Sequence, residues 1–225
     1  MQNNQNERST AQAGGTNSRT TLRDRRRKQK QSILYLVQLA LLTAVIMVLH
    51  FSGVAIPAFG TKISPVLIPI ALGAMLLGPT AGAILGFIYG LTVFISLGVL
   101  HMDPFTGFLF DSTPVMTALI CIVKTTAAGL LAGFVYRALS KKSSLLAVFV
   151  TAALVPTVNT GLFVLGCFMI YDTISEVSAA AGYSPVYFIL IICAGINYAL
   201  ELAINLILSP ALEHITRRLS KRIHR

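Results

Sequence analysis

Four polar residues stand inside apolar segments where a membrane helix ordinarily carries none. Lys124 is central in residues 115–135, which hold no other charged residue. A lysine near the centre of a bilayer costs about 2.5–3.5 kcal/mol on insertion scales, so it usually faces a partner or a watery cavity. Glu201 poses the same problem in the last apolar segment. Opposite charges at similar depth predict a polar pocket between helices.

Asparagines on two apolar segments extend this polar set. Asn197 and Glu201 are four residues apart and therefore share a helical face, which Asn205 continues. Asn159 stands three residues after Pro156, which interrupts the fifth apolar segment and removes a backbone donor there. The two site asparagines could offer donors and acceptors to a small polar ligand, while the lysine binds a ligand carboxylate.

Two other interpretations of these residues stay open. Lys124 and Glu201 could form a structural ion pair, although desolvation can cancel the Coulomb gain of such a pair. The same two residues could relay a proton or an ion in an independent secondary transporter. Inverted repeats would favour that transporter, and the sequence shows no convincing internal repeat. Each asparagine could also form an interhelical hydrogen bond.

The predicted outer loops add further candidates. Residues 101–111 carry His101, Asp103, Phe105 and Asp111. Aromatic side chains at this depth are typical of interfacial anchors. As a set, the loop residues could also cap a pocket that opens to the outside.

The composition indicates an integral membrane protein. Hydrophobic residues make up 55% and charged residues 12%, against roughly 25% charged in a soluble domain. Apolar segments of about 20 residues can span roughly 30 Å of hydrocarbon as helices. We predict an all-α membrane protein, a bundle of six transmembrane helices. The predicted spans are residues 32–51, 63–77, 80–100, 114–136, 145–171 and 185–208.

Basic residues set the predicted orientation. They cluster before the first span, between the fourth and fifth spans, and at the C-terminus. With six spans these regions share one side, and the positive-inside rule places both termini in the cytoplasm. We predict a disordered basic segment over residues 1–30, a transmembrane substrate-binding domain over 31–216 and a basic cytoplasmic tail over 217–225. The N-terminal charges favour a contact with the lipid bilayer over nucleic-acid binding.

Small residues indicate how the helices pack. Glycines recur every four residues on the third span and again on the fourth, as Gly78, Gly82, Gly86 and Gly90, then Gly129 and Gly133. Such ridges let two backbones approach closely, and we predict contact within the chain rather than with another protein. Ala40 and Ala44 form a smaller patch on the first span.

No enzyme motif is visible, so we predict that the chain is not an enzyme. It carries no ATP phosphate loop, no His-Glu-x-x-His motif and no Gly-x-Ser-x-Gly motif. Its cysteines, Cys121, Cys167 and Cys193, lie inside spans without metal-ligand spacing. We expect no metal, no cofactor and no disulfide framework.

Three segments carry a resemblance to a known family. They are the patch Ala40-x-x-x-Ala44, the run Leu67-Ile68-Pro69-Ile70 leading to Gly78-Pro79-Thr80-Ala81-Gly82, and Pro156-Thr157-Val158-Asn159-Thr160-Gly161. The face of Asn197, Glu201 and Asn205 is similar as well. With the size and the predicted spans, their order makes residues 32–214 resemble the substrate-binding S component of energy-coupling factor (ECF) vitamin transporters.

The resemblance implies a function. Such proteins bind a vitamin from outside and work with a transmembrane coupling protein and two cytoplasmic ATPases, which supply the energy. The S component is thought to release its substrate by tipping over in the membrane. The family's small-residue patch contacts the coupling protein, a role that would fall on Ala40 and Ala44. It also implies a multi-pass protein of the cell membrane.

The identity of the vitamin has to come from this chain, because the family shares a fold more than it shares pocket residues. Lys124 favours an acidic vitamin, and pantothenate combines a carboxylate with hydroxyl groups. Riboflavin and folate stay open, since aromatic residues also stand near the predicted outer face.

Overall fold

The first helix is much longer than the predicted first span. In the computed structural model, which describes residues 3–52, 56–58, 61–63 and 65–223, α1 runs Asn3–Phe51. Its part that is apolar and long enough to cross a membrane is Lys28–Phe51. The rest covers residues for which the composition predicts disorder; a helix that is already nucleated extends at little cost per residue. The boundaries of the basic segment, the bundle and the tail stay predictions.

The chain divides into two compact units, residues 1–40 and 41–225. The second contains a hairpin of three-residue strands, β1 (Ile56–Ala58) and β2 (Thr61–Ile63), paired antiparallel with Ile56 opposite Ile63. Its later helices are α2 (Leu67–Leu77), α3 (Pro79–Val93, then π-helical over Phe94–Val99), α4 (Pro104–Ser112), α5 (Pro114–Leu139), α6 (Ser144–Met169), α7 (Tyr171–Ala180) and α8 (Pro185–Tyr187, then π-helical over Phe188–Gly195, then Ile196–Ile223).

Five helical segments among the described residues are long and apolar enough to cross a membrane. They are Lys28–Phe51, Pro79–Val99, Pro114–Leu139, Ser144–Met169 and Pro185–Arg218. α2 is apolar but has only 11 residues, because Ile63, the first residue of the predicted second span, ends β2 and Pro65 and Val66 form a turn before the helix begins. The helical membrane architecture is confirmed. The count of six spans and the cytoplasmic position of both termini stay predictions.

Apolar side chains cover the outer faces of the helices. Val115, Leu165 and Ile207 are 71%, 61% and 75% exposed. Keeping such surface in water forgoes roughly 25 cal/mol for each Å² that burial would remove. Lipid tails remove that penalty, so these faces fit a bilayer.

A single glycine separates α2 from α3. Gly78 has a φ of 96°, a conformation that L side chains rarely adopt. Pro79 then begins α3, where its missing N–H is no loss because the first helical N–H has no intrahelical partner. Gly78 and Pro79 therefore end one helix and begin the next without an intervening loop.

Glycines bring α3 and α5 into backbone contact. A Cβ added to Gly82 would collide with the carbonyl of Gly129, and one added to Gly86 would collide with the carbonyl of Thr125. The hydroxyl of Thr125 in turn donates to the Gly86 carbonyl at 2.7 Å. The glycine ridge therefore packs within the chain, as the sequence predicts. Close approach of this kind holds membrane helices together without a hydrophobic driving force.

Two short helices mark one end of the bundle, called the α4 end below. α4 connects α3 to α5, and α7 connects α6 to α8. A buried cluster joins α4, α6, α7 and α8 there, made of Leu109, Cys167, Ile170, Ile174, Phe188, Ile189 and Cys193. The opposite end carries the Gly78 turn and the exposed basic residues Arg137, Lys141 and Lys142.

Candidate functional site

Four helices each place a polar residue at nearly the same depth. Tyr89 on α3, Lys124 on α5 and Asn159 on α6 stand 10 residues from the α4 end of their span, and Asn197 on α8 stands 12. At 1.5 Å of rise per residue, they lie about 15–18 Å from that end. That depth is near the middle of a hydrocarbon core of about 30 Å. The bundle thus contains a polar layer.

The residues of this layer line one cavity of about 120 Å³. All four ligand-binding residues predicted from the sequence line it: Lys124, Asn159, Asn197 and Glu201. α4 and the residue before it line the cavity on the α4 side, where Asp103 and Phe105 contribute to the lining. The structure therefore brings the predicted set together. Its binding role stays a prediction.

Three side-chain oxygens at the cavity are buried without a hydrogen-bond partner among the described residues. They are Asn159 Oδ1, Asn197 Oδ1 and Glu201 Oε2. The one contact within this group is long, from Asn197 Nδ2 to Glu201 Oε1 at 3.5 Å. A buried polar group that lacks its partner costs about 1–3 kcal/mol. Donors from a ligand or from water would remove this cost.

Lys124 rests on an aromatic ring. Its Nζ lies 4.8 Å from the centroid of Phe163, and no carboxylate of the described residues lies within 4.0 Å of it. The structural ion pair with Glu201 is therefore not formed in the part of the chain that the structure describes. A cation–π contact contributes about 0.5–2 kcal/mol. It leaves the N–H groups of the ammonium free to bind a ligand anion.

Tyr89 and Phe163 are site residues that the sequence prediction missed. Tyr89 precedes Gly90 on α3 and lines the cavity, but a tyrosine in an apolar span is only a weak sequence signal for a binding site. Phe163 follows Asn159 by four residues and so shares its helical face. That spacing was the available signal for Phe163.

Asp103 caps the first turn of α4. Its Oδ2 accepts hydrogen bonds from the backbone N–H of Thr106 at 2.9 Å and from the Thr106 hydroxyl at 2.7 Å. This is the preferred geometry for an N-cap aspartate. The ring of Phe105, the residue before Thr106, packs against that of Phe188 on α8, with 5.9 Å between the ring centroids. α4 is thereby fixed as a wall of the cavity.

His101 holds the loop before α4 against the helix end. Its Nε2 lies 3.1 Å from both carboxylate oxygens of Asp111, and its Nδ1 lies 3.1 Å from the carbonyl of Val99. Only the protonated ring donates to both acceptors at once. The hydrogen bond to Asp111, followed by that to Val99, raises the pKa of His101 above its ordinary value.

The His101–Asp111 contact should make thermal stability depend on pH. Because the folded pKa is raised, the contribution is complete below the unfolded pKa of about 6.5 and is lost as pH rises through the folded pKa. We expect His101→Gln to lower the Tm in detergent more at about pH 5.5 than at about pH 8.5. In an Asp111→Asn background, the change in Tm caused by His101→Gln should depend little on pH. A Tm difference that is constant over this range would contradict the prediction.

The match to a family model covers every helix that lines the cavity. The model described as ECF transporter, substrate-specific component matches residues 34–213. The chain belongs to this family. As an ECF S component it is the substrate-binding subunit of a membrane transporter that functions with an ECF module. No curated protein matched the chain.

The predicted partner patch of the S component lies on α1. Ala40 and Ala44 are both exposed on that helix. An exposed pair of small residues four apart lets a second helix approach closely. Their contact with a coupling protein stays a prediction.

Proposed function

We propose that this S component is the high-affinity vitamin-binding subunit of an ATP-driven ECF uptake transporter, with pantothenate as its vitamin. The complement of groups in the cavity carries the proposal. Lys124 offers an ammonium, while Asn159, Asn197 and Glu201 offer acceptors without donors. Pantothenate supplies a carboxylate for the ammonium and hydroxyl and amide N–H donors for the acceptors.

The size of the cavity also favours a small vitamin. The cavity has a volume of about 120 Å³. Pockets for drug-sized ligands hold roughly 300–1,000 Å³. Pantothenate is flexible and lacks rings, whereas riboflavin and folate carry fused aromatic rings. The smaller, flexible molecule needs less rearrangement of the cavity wall.

The proposed topology places the α4 end outside and both termini in the cytoplasm. The vitamin then enters across the α4 wall, and energy comes from two ATPase subunits through the coupling protein. The chain itself carries no phosphate loop. We assign it no enzymatic step, no cofactor and no metal.

The proposed ligand is tested by calorimetric titration of the purified protein with pantothenate, riboflavin and folate. We expect pantothenate to bind with a Kd of about 1 μM or tighter, which corresponds to about −8 kcal/mol. Riboflavin and folate should bind at least about 100-fold more weakly. Tight binding of either, with none of pantothenate, would refute the proposed ligand. Proton-driven uptake by this chain alone would instead support secondary transport with Lys124 and Glu201 as a relay.

The proposed partner contact predicts an assembly defect. Ala44→Leu adds bulk to the exposed small patch of α1 and should reduce co-purification of the coupling protein about tenfold, since the helices can no longer approach closely. Pantothenate binding to the isolated S component should not change. Val45→Phe, a similar enlargement at an exposed neighbouring position, is the control. Equal co-purification of both variants with the coupling protein would remove Ala44 from the interface.

A further inference from the structure

The charges of the cavity are unequal. Three charged residues line it, one basic, Lys124, and two acidic, Asp103 and Glu201. Both carboxylates are only 8% exposed. A ligand that adds one negative charge finds one ammonium, whereas a second negative charge has no cation among the described lining residues.

The two acidic residues stand at different depths. Glu201 is 16 residues from Pro185, at the α4 end of α8, or about 24 Å at 1.5 Å per residue. Asp103 immediately precedes α4. Lys124 lies about 15 Å into α5. The cavity therefore has an inner part with the ammonium and a mouth with a carboxylate.

Only one of the two carboxylate oxygens of Asp103 forms hydrogen bonds that hold the fold. Oδ2 takes both bonds from Thr106, and the described residues offer Oδ1 no hydrogen-bond partner. Capping needs one oxygen and works nearly as well with asparagine. The negative charge at this position is thus more than the cap requires.

We infer that Asp103 is a specificity residue that admits a hydroxyl group at the mouth of the cavity and rejects an anionic one. The inference rests on the proposed function, in which the ligand carboxylate binds Lys124. The hydroxyl end of pantothenate then reaches the mouth, where Asp103 Oδ1 accepts its hydrogen bond. A phosphate ester at that hydroxyl would place a second anion beside Asp103. Like charges at a desolvated contact disfavour binding strongly.

The test compares pantothenate with its phosphate ester on the full chain in detergent, by calorimetric titration. The wild type should bind the ester at least about 100-fold more weakly than pantothenate, as expected for juxtaposed like charges. Asp103→Asn keeps the cap acceptor and removes the charge. The ratio of the Kd of the ester to the Kd of pantothenate should fall at least about tenfold in this variant. Its pantothenate binding should weaken only a fewfold, because a charged acceptor becomes neutral.

Asp111→Asn is the matched control. It makes the same change at the other end of α4, at a position that is exposed and does not line the cavity. The ratio of the two Kd values, ester over pantothenate, should be the same in Asp111→Asn as in the wild type. An Asp103→Asn ratio equal to the wild type, with pantothenate still bound, overturns this inference and leaves the proposed vitamin standing. A folded wild type that does not bind pantothenate overturns both.

Discussion

Lys124→Met is expected to weaken pantothenate binding by roughly 100- to 1,000-fold and to leave the protein folded. Removing one member of a buried, hydrogen-bonded charge pair costs about 2–5 kcal/mol, and each 1.36 kcal/mol is a factor of ten. Methionine has a similar length and keeps the contact with the Phe163 ring. No described carboxylate within 4.0 Å depends on the lysine, so folding should not suffer. Titration calorimetry and thermal unfolding measure the two effects.

Two further substitutions separate charge from shape at this position. Lys124→Arg keeps the cation and should lose only about tenfold in affinity, since a guanidinium still binds a carboxylate. Phe163→Leu removes the ring that lies against the ammonium. Its loss of affinity for pantothenate should lie between those of Lys124→Arg and Lys124→Met. Unchanged affinity in Lys124→Met together with a lower Tm would show that the lysine is structural and would end its role as the ligand-binding cation.

Gly82→Ala should destabilise the protein more than an apolar substitution on the lipid-facing surface. Its Cβ would meet the carbonyl of Gly129, which is backbone and cannot rotate away. Overpacking a dense contact costs about 1–3 kcal/mol and sometimes more, and here it also drives α3 from α5. We expect a clear fall in Tm in detergent and a low yield of folded protein.

Gly161→Ala is the matched control for the glycine ridge. Gly161 is also a helical glycine, on α6, but an added Cβ would meet nothing within 4 Å. Restricting the unfolded chain then stabilises the protein by about 0.4–1 kcal/mol. If both glycine substitutions shift the Tm equally, helix propensity rather than backbone contact sets the cost at Gly82.

Energetic penalties explain what could be predicted from the sequence. A charge or an amide inside an apolar helix is costly, so the positions of Lys124, Asn159, Asn197 and Glu201 were informative, and they line one cavity. Glycine repeats and the Gly78-Pro79 turn carry similarly specific steric requirements. These features can be recognised from the sequence alone.

Residues whose placement in a helix carries no energetic penalty give no distinctive sequence signal and were not predicted. Phe163 is one of 12 phenylalanines, and an aromatic residue in an apolar helix is equally suited to lipid, core or a cation. Asp103 looks like any helix cap until its burial is known. The short length of α2 depends on where the preceding strands end, which apolar periodicity does not specify. The extension of α1 to Asn3 was not predicted, because its Asn-, Ser- and Thr-rich composition carries little helix preference.

Backbone contact between α3 and α5 has a consequence for how the cavity receives its substrate. The backbones of Gly82 and Gly129 are in close contact, as are those of Gly86 and Thr125, so we expect α3 and α5 to move as one unit. We therefore expect Tyr89 on α3 and Lys124 on α5 to keep their relative positions when a substrate binds, which would spare the entropy cost of ordering them.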